Sequence, residues 1–215
     1  WTLDPDTGIG SSLTWLDSAN DHPFGVAAGH GLANMYYTND WQDDHSYVYT
    51  GAYWYDTVTF TDTHGRGMDV DDDGYILETD YVSYSQLSQL WRYADDFTDE
   101  QVWDLPELNQ QASGLTCFTM GGSEYVAVVQ YGSNHDIALY GYDSTSGPSF
   151  ECFMDFPVGD CSVVRGLAYS QTRETMFLVY QASSGYWTII EASVQEDEAL
   201  QRSTRGAVKA CARRS

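Results

Sequence analysis

Polar residues able to do chemistry recur at matched positions of an internal repeat. Four anchor glycines, spaced 42, 47 and 52 residues apart, each begin a short apolar stretch: Gly25, Gly67, Gly114 and Gly166. Three positions before them stand His22, His64, Gln111 and Val163, and immediately before them stand Phe24, Arg66, Ser113 and Arg165. Histidine can act as a base or a metal ligand, and arginine can hold a carboxylate or phosphate through two hydrogen bonds.

We therefore take His22, His64, Arg66 and Arg165 as candidate catalytic residues and Gln111 as a candidate ligand-binding residue. Equivalent positions of a repeat that closes into a ring converge on its axis. The alternative is structural: the same polar side chains pair with neighbouring carboxylates and backbone to tie the repeats together.

A second candidate site is an acidic loop. Asp69, Asp71, Asp73, Gly74 and Asp80 occupy positions 1, 3, 5, 6 and 12 of a calcium-loop spacing, with Asp in place of the usual final Glu. Ca²⁺ requires several hard oxygen ligands, which clustered carboxylates supply. The flanks read as strands rather than the helices of an EF-hand, so an ordinary hairpin turn closed by Gly74 is the alternative.

Aromatic residues beside carboxylates form a third candidate site. Trp41 follows Tyr36 and Tyr37, and Trp54 lies between two tyrosines just before Asp56. Aromatic rings with acceptor side chains suit carbohydrate, so Trp41 and Trp54 are candidate ligand-binding residues. The alternative places these rings in the core between repeats.

The elements that would position these residues are short β-strands. After each anchor glycine come a second and a third apolar strand, and three of the four units also have a fourth, near 57–60, 101–104 and 150–153. Four short strands per unit, at a period above forty residues, are typical of a β-propeller blade. The sequence therefore predicts an all-β propeller with about four four-stranded blades.

The stretch 67–80, Gly-Met-Asp-Val-Asp-Asp-Asp-Gly-Tyr-Ile-Leu-Glu-Thr-Asp, is followed by Leu-Trp-Arg-Tyr at 90–93. This pattern resembles a blade of the NHL and virginiamycin-lyase-like propellers, and the resemblance covers residues 11–194. It implies a fold more than an activity, because such propellers include lyases, hydrolases and binding modules.

The last unit lacks a fourth strand, and Ser12–Asp17 has the alternation to supply one. We predict that this segment pairs with the strand around 187–190. If the pairing is internal, it closes a four-bladed ring; otherwise a partner chain exchanges the strand in a homodimer, or further blades complete a larger ring.

Charge divides the chain into two parts. The formal net charge is −23, and all 32 Asp and Glu residues precede Ala199. Such a surface repels nucleic acid and anionic membranes. No run is long and apolar enough to span a bilayer. We therefore predict a propeller domain over residues 1–199 and a basic, disordered tail over 200–215, which is either non-native or a native basic arm.

Cysteine usage and composition suggest an extracellular or periplasmic protein. Cys152 and Cys161 flank a link between units and could form a disulfide, or remain two buried thiols. Our first functional hypothesis is a secreted module that binds a small molecule or carbohydrate at the channel mouth, with structural Ca²⁺. The second is a hydrolase or lyase with His22 or His64 as base and Arg66 or Arg165 stabilising negative charge.

Overall fold

The computed structural model describes twelve segments of the 215-residue chain: residues 2–3, 10–11, 23–28, 36–40, 45–49, 54–59, 65–81, 88–94, 100–108, 111–131, 136–155 and 161–194. These segments are entirely β-strands and turns. None of them forms a helix of the length and apolarity that a membrane crossing requires. The predicted all-β class is confirmed.

Three antiparallel four-stranded sheets and one three-stranded sheet follow one another along the chain, each with its strands in sequence order. Blade 1 contains β3 (Pro23–Ala28), β4 (Tyr36–Asp40), β5 (His45–Tyr49) and β6 (Trp54–Thr59). Blade 2 contains β7 (Gly65–Val70), β8 (Ile76–Tyr81), β9 (Ser88–Tyr93) and β10 (Gln101–Leu105).

Blade 3 contains β11 (Ala112–Met120), β12 (Ser123–Gln130), β13 (Asp136–Asp143) and β14 (Gly147–Asp155). Blade 4 contains β15 (Cys161–Ser170), β16 (Thr175–Ala182) and β17 (Trp187–Ser193). Two short strands, β1 (Thr2–Leu3) and β2 (Gly10–Ser11), pair with each other ahead of blade 1. This succession of antiparallel sheets is the predicted propeller architecture.

The turn between β7 and β8 of blade 2 is determined by a glycine and by two backbone hydrogen bonds. Gly74 has φ of +89°, which a glycine adopts without steric cost. Its amide donates to the Asp71 carbonyl at 2.9 Å, and the Asp71 amide donates to the Tyr75 carbonyl at 2.9 Å. The predicted acidic turn between two strands is therefore present.

The anchor glycines lie where one blade meets the next. A methyl group built on Gly114 would lie 2.8 Å from the Leu167 backbone nitrogen and 3.0 Å from the Arg165 carbonyl oxygen. On Gly67 it would collide with the backbone of Gly114 and Leu115, and on Gly25 with that of Arg66 and Met68. Glycine is required at these three positions because successive first strands touch through their backbones.

Apolar layers fill the spaces between neighbouring blades. Ile76 and Met68 of blade 2 pack with Tyr37 of blade 1. Leu77 and Leu90 of blade 2 pack in a separate layer with residues of blade 3, and Ile137 of blade 3 packs with Leu178 of blade 4. Each inner blade is thus covered on both faces, as stacked propeller blades must be.

Ring closure remains a prediction. Residues 12–17, which we expect to pair beside β17, lie outside the described residues, as does the predicted tail at 200–215. Within the described segments, β17 is the last strand of its sheet.

Candidate functional site

A β-bulge marks the start of the first strand in every blade. The pairing register shifts between Pro23 and Val26 in β3, and between Gly65 and Met68 in β7. It shifts between Ala112 and Gly114 in β11, and again between Val164 and Gly166 in β15. The residue immediately before each anchor glycine falls in the bulge. Bulges re-aim side chains and are common beside active sites.

The bulge side chains of blades 1, 2 and 4 meet on one aromatic ring. The guanidinium carbon of Arg66 lies 4.7 Å from the Phe24 ring centroid, and that of Arg165 lies 5.2 Å from the same centroid. Arg165 also stands 4.6 Å from the Tyr131 ring of blade 3. Both distances to Phe24 lie within cation–π range. We call Phe24, Arg66, Gln111, Tyr131 and Arg165 the arginine cluster.

Blade 3 contributes a polar group and fixes the backbone around it. Arg66 Nη2 donates to Gln111 Oε1 at 3.5 Å. The Tyr131 amide donates to the Gln111 carbonyl at 2.6 Å, which fastens the end of β12 to the residue ahead of β11. Ser113 Oγ lies 3.1 Å from the carbonyls of Val164 and Arg165. The predicted residues Arg66, Gln111 and Arg165 are therefore held together by contacts between blades.

Arg165 differs from Arg92 and Arg173 in its charged partners. Arg92 pairs with Asp71 at 2.8 Å, and Arg173 pairs with Glu191 at 2.9 Å. Within the described segments, no carboxylate forms an ion pair with Arg165. Among the described residues, the half-buried guanidinium of Arg165 therefore faces aromatic rings and not a carboxylate.

Several predicted site residues fall outside the described part of the chain. His22, His64 and Trp41 lie in segments that the structure does not describe, and for Trp54 only the strand position is described. Their roles stay predictions.

The four candidate calcium ligands have other partners. Asp69 is nearly buried and accepts hydrogen bonds from the amides of Val70 and Cys117 and from Thr116 Oγ1. Burial raises its pKa, and these hydrogen bonds oppose that rise. This carboxylate joins blade 2 to blade 3.

Asp71 lies at the centre of a buried network. Its Oδ2 accepts from Arg92 Nε at 2.8 Å and from Tyr142 OH at 3.2 Å, and its Oδ1 accepts from the Tyr75 amide at 2.8 Å. Burial disfavours the charge of Arg92, but the hydrogen bond and charge of Asp71 outweigh it, so the pKa of Arg92 is raised. Asp73 lies 3.4 Å from Arg92 Nη2.

Asp80 is buried on β8, where it raises the pKa of nearby Glu78. The described residues contain no group of three or more potential metal ligands close enough to share an ion. Calcium remains a prediction.

Sequence reasoning missed two members of the arginine cluster. Phe24 occupies the repeat position of Arg66 and Arg165, but as an apolar residue it was not assigned a role. Tyr131 lies just after β12, and because β12 runs antiparallel to β11, its end meets the start of β11. The antiparallel pairing of β11 and β12 could therefore have predicted that Tyr131 lies beside the start of β11.

Two cysteines bear on the compartment prediction. Cys117 is mostly buried, and burial together with the adjacent Glu124 carboxylate raises the pKa of its thiol. The thiol is therefore protonated and unreactive at neutral pH. The side chain of Cys161 lies outside those described, so the Cys152–Cys161 disulfide stays a prediction.

No protein-family model matches the chain, and no curated protein sequence matches it. Solved structures do match. A streptogramin B lyase structure aligns at 10% identity and TM-score 0.52, covering 86% of this chain and 58% of that one. A glycoside hydrolase aligns at 10% identity and TM-score 0.55, covering 86% and 48%. A gluconolactonase from Xanthomonas campestris aligns at 15% identity and TM-score 0.51, covering 77% and 62%.

These matches define the class of protein: the chain has a propeller-type fold built from consecutive antiparallel blades. The resemblance to virginiamycin-lyase-like propellers stated from the sequence is confirmed at the level of fold. The chain spans between about half and three-fifths of the length of the three structures it was compared with.

Proposed function

We propose that this chain is a ligand-binding propeller module that takes a small anionic ligand at the mouth of its channel. The ligand carries a carboxylate or phosphate on a small molecule or carbohydrate. Arg66 and Arg165 hold the anionic group, Gln111 accepts from a ligand hydroxyl or orients Arg66, and the rings of Phe24 and Tyr131 form apolar walls.

One observation supports this proposal above the others. Two guanidiniums from blades 2 and 4 share the ring of Phe24 on blade 1, and Arg165 has no carboxylate partner within the described segments. Like charges held against one ring repel each other, and an anion between them relieves that repulsion. Arginine is well suited to this role because its planar fork matches carboxylate and phosphate oxygens.

Isothermal titration calorimetry with matched sugars tests the proposal. D-glucuronate and glucose 6-phosphate should bind, and D-glucose should bind more weakly because it lacks the anionic group. Hydrogen bonds to charged groups contribute about 1.5–3 kcal/mol, so Arg165→Gln and Arg66→Gln should each weaken binding by about 10- to 150-fold. Arg173→Gln is the matched control, since Arg173 pairs with Glu191 on the surface of blade 4.

Equal binding of D-glucose and the two anionic sugars would contradict the anionic part of the proposal. An Arg165→Gln variant that binds like wild type would contradict the assigned site. A chain that binds none of the three probes would contradict the carbohydrate form of the ligand, and a panel of small carboxylates and organic phosphates would then test the anion alone.

The second candidate function is a hydrolase or lyase at the same site. It is favoured by the similar solved structures, which include a lyase, a gluconolactonase and a glycoside hydrolase. In this mechanism His22 or His64 is the base, and Arg66 or Arg165 stabilises the negative charge that develops. Turnover of a lactone or glycoside that is lost in both His64→Ala and Arg165→Gln would favour the enzyme over the binding module.

We also propose an extracellular or periplasmic location, with neither nucleic acid nor membrane as partner. The acidic composition supports the last two points, because a net charge of −23 repels polyanions. Mass spectrometry of the unreduced protein tests the first. A mass two hydrogens below that of the reduced chain, mapped to a peptide joining Cys152 and Cys161, would support an oxidising compartment.

A further inference from the structure

The residue after each anchor glycine packs on the preceding blade, with one exception. Met68, Leu115 and Leu167 occupy this position in blades 2, 3 and 4, and all three are buried. Val26 occupies it in blade 1 and is 68% exposed. We call the side of blade 1 that carries Val26 the leading face. It has the apolar residue of a blade interface, and no blade among the described segments covers it.

The face of blade 4 that points away from blade 3 shows the matching feature: an anchor glycine that is not covered by a following blade among the described residues. Gly25, Gly67 and Gly114 are buried, whereas Gly166 is only half-buried. A methyl group built on Gly166 would meet only the Val179 side chain among the described residues, at 3.4 Å. Three anchor glycines therefore receive the next blade, and the fourth receives none within the described chain.

The third strand of blade 4 is also more exposed than the third strand of blade 3. In the pairing register, Ile189 lies opposite Val179, as Ile137 lies opposite Val129 in blade 3. Ile137 is fully buried against blade 4, but Ile189 is 55% exposed, and Trp187 two residues earlier on β17 is 54% exposed. We call Gly166, Val179, Trp187 and Ile189 the trailing face. It is an apolar surface of the kind that marks an interaction site.

We propose that the leading face of one copy of this chain packs on the trailing face of a second copy. Val26 then lies against Gly166, just as Met68 lies against Gly25 and Leu115 against Gly67. The contact continues an interface that the chain already forms three times, between blades 1 and 2, 2 and 3, and 3 and 4.

The two halves of this interface are both present on one chain, and that identifies a second copy as the occupant. Such a contact is heterologous, so it either closes into a ring or propagates. Propellers typically contain four to eight blades. The four described blades of one copy, taken twice, reach the upper limit of that range and, taken three times, exceed it, so the expected assembly is a closed dimer.

Charge sets the conditions under which the dimer forms. Each copy carries a formal charge of −23, and two copies repel each other at low ionic strength. The contact itself is apolar and is not weakened by screening. Dimerisation should therefore increase with added salt, opposite to the behaviour of an interface held by ion pairs.

Light scattering on the intact 215-residue chain, from low salt to molar sodium chloride, tests the proposal. The wild-type chain should move toward twice its monomer mass as salt rises. Val26→Asp and Gly166→Ala should each remain monomeric under conditions in which wild type is dimeric. Gly166→Ala is the sharper variant, because its methyl group is tolerated beside Val179 within the chain but would collide with an approaching backbone.

Val102→Asp is the matched control. Val102 is an exposed apolar residue on β10 of blade 2, away from both terminal faces, and this variant should dimerise like wild type. Circular dichroism confirms that each variant is folded before its mass is compared. A wild-type chain that stays monomeric at every salt concentration would overturn the proposal, as would a dimer that survives both Val26→Asp and Gly166→Ala.

Discussion

Glu78 should make the stability of the protein fall as pH rises. Its carboxyl is buried between blades 1 and 2, where Asn39 Nδ2 donates to Oε1 at 2.6 Å and Ser46 Oγ donates to Oε2 at 3.2 Å. Burial, and to a smaller extent the charge of Asp80, raise the pKa of Glu78 from 4.5 to about 8 against the opposing effect of the two hydrogen bonds. Glu78 is therefore protonated in the folded protein at pH 7.

The direction of the pH dependence follows from which state holds the proton. Below pH 4.5 both the folded and the unfolded chain are protonated at this residue, and its contribution to stability is fully present. Between pH 4.5 and about 8 the unfolded chain loses the proton first, so the free energy of unfolding decreases. At about 1.4 kcal/mol for each unit of pKa difference, the total loss is on the order of 5 kcal/mol.

Glu78→Gln should remove this dependence. Glutamine has the shape and charge of the protonated acid: its carbonyl can accept from Asn39 and its amide can donate to Ser46. Urea unfolding at a series of pH values from 5 to 9, followed by tryptophan fluorescence, measures the free energy of unfolding at each pH. The advantage of Glu78→Gln over wild type should grow by several kcal/mol across this range.

Glu174→Gln, which changes an exposed glutamate in the turn between β15 and β16, is the matched control and should follow wild type. Parallel stability curves for wild type and Glu78→Gln from pH 5 to 9 would refute the reasoning. That result would mean that Glu78 is ionised in the folded protein and that a positive charge outside the described contacts compensates it.

Four further outcomes are expected. Gly67→Ala should lower stability by about 1–3 kcal/mol through overpacking, because its methyl group meets backbone of the next blade, and a melting curve equal to wild type would contradict that contact. Asp71→Asn should cost about 3–5 kcal/mol in urea unfolding, because it leaves Arg92 buried with only the more distant and exposed Asp73 as counter-charge. If calcium binds the acidic hairpin, EGTA should lower the Tm of wild type but not of Asp73→Asn, and unchanged melting of wild type would leave an ordinary turn. Removal of residues 200–215 should leave Tm unchanged, whereas loss of folding would show that the tail is structural.

The fold could be predicted because its signal is repeated. A single strand pair such as β7 and β8 is ambiguous, but four glycine-led units at similar spacing agree on where each first strand begins. The second and third strands were predicted within a few residues, since apolar runs bounded by turns define them well. The pairing of Ser12–Asp17 with β17 does not follow from the repeat in the same way. It depends on the rotation between successive blades, which the sequence pattern does not specify.

The candidate site was predictable in part and for a related reason. Arg66 and Arg165 were found from register alone, since residues at equivalent repeat positions lie at the same height around an axis. Phe24 was passed over because an aromatic residue in that position has no obvious chemistry until two cations are seen against it. Glu78 was missed because its partners Asn39 and Ser46 come from another blade, and no local pattern links them.

The acidic hairpin shows why spacing alone cannot assign chemistry. Asp69, Asp71 and Asp73 alternate along a chain that runs from a strand into a turn, so their side chains leave in different directions. Asp69 accepts from the Cys117 amide of blade 3, whereas Asp71 accepts from Arg92 of its own blade and from Tyr142 of blade 3. In a loop flanked by helices, as in an EF-hand, side chains with the same spacing would converge on one metal ion.

The anchor glycine and the residue before it have different roles, the first in packing the blades and the second in placing a side chain near the other blades. The glycine allows the backbones of adjacent blades to touch, and the bulge beside it places the preceding side chain among those of other blades. Phe24, Arg66, Ser113 and Arg165 can therefore differ in chemistry while the packing of the blades stays the same. One repeated architecture can therefore place an aromatic ring, two guanidiniums and a hydroxyl at equivalent positions. Since the anchor glycines are the same in all four blades and serve packing, the variable residues before them, which include members of the arginine cluster, are the better candidates for function.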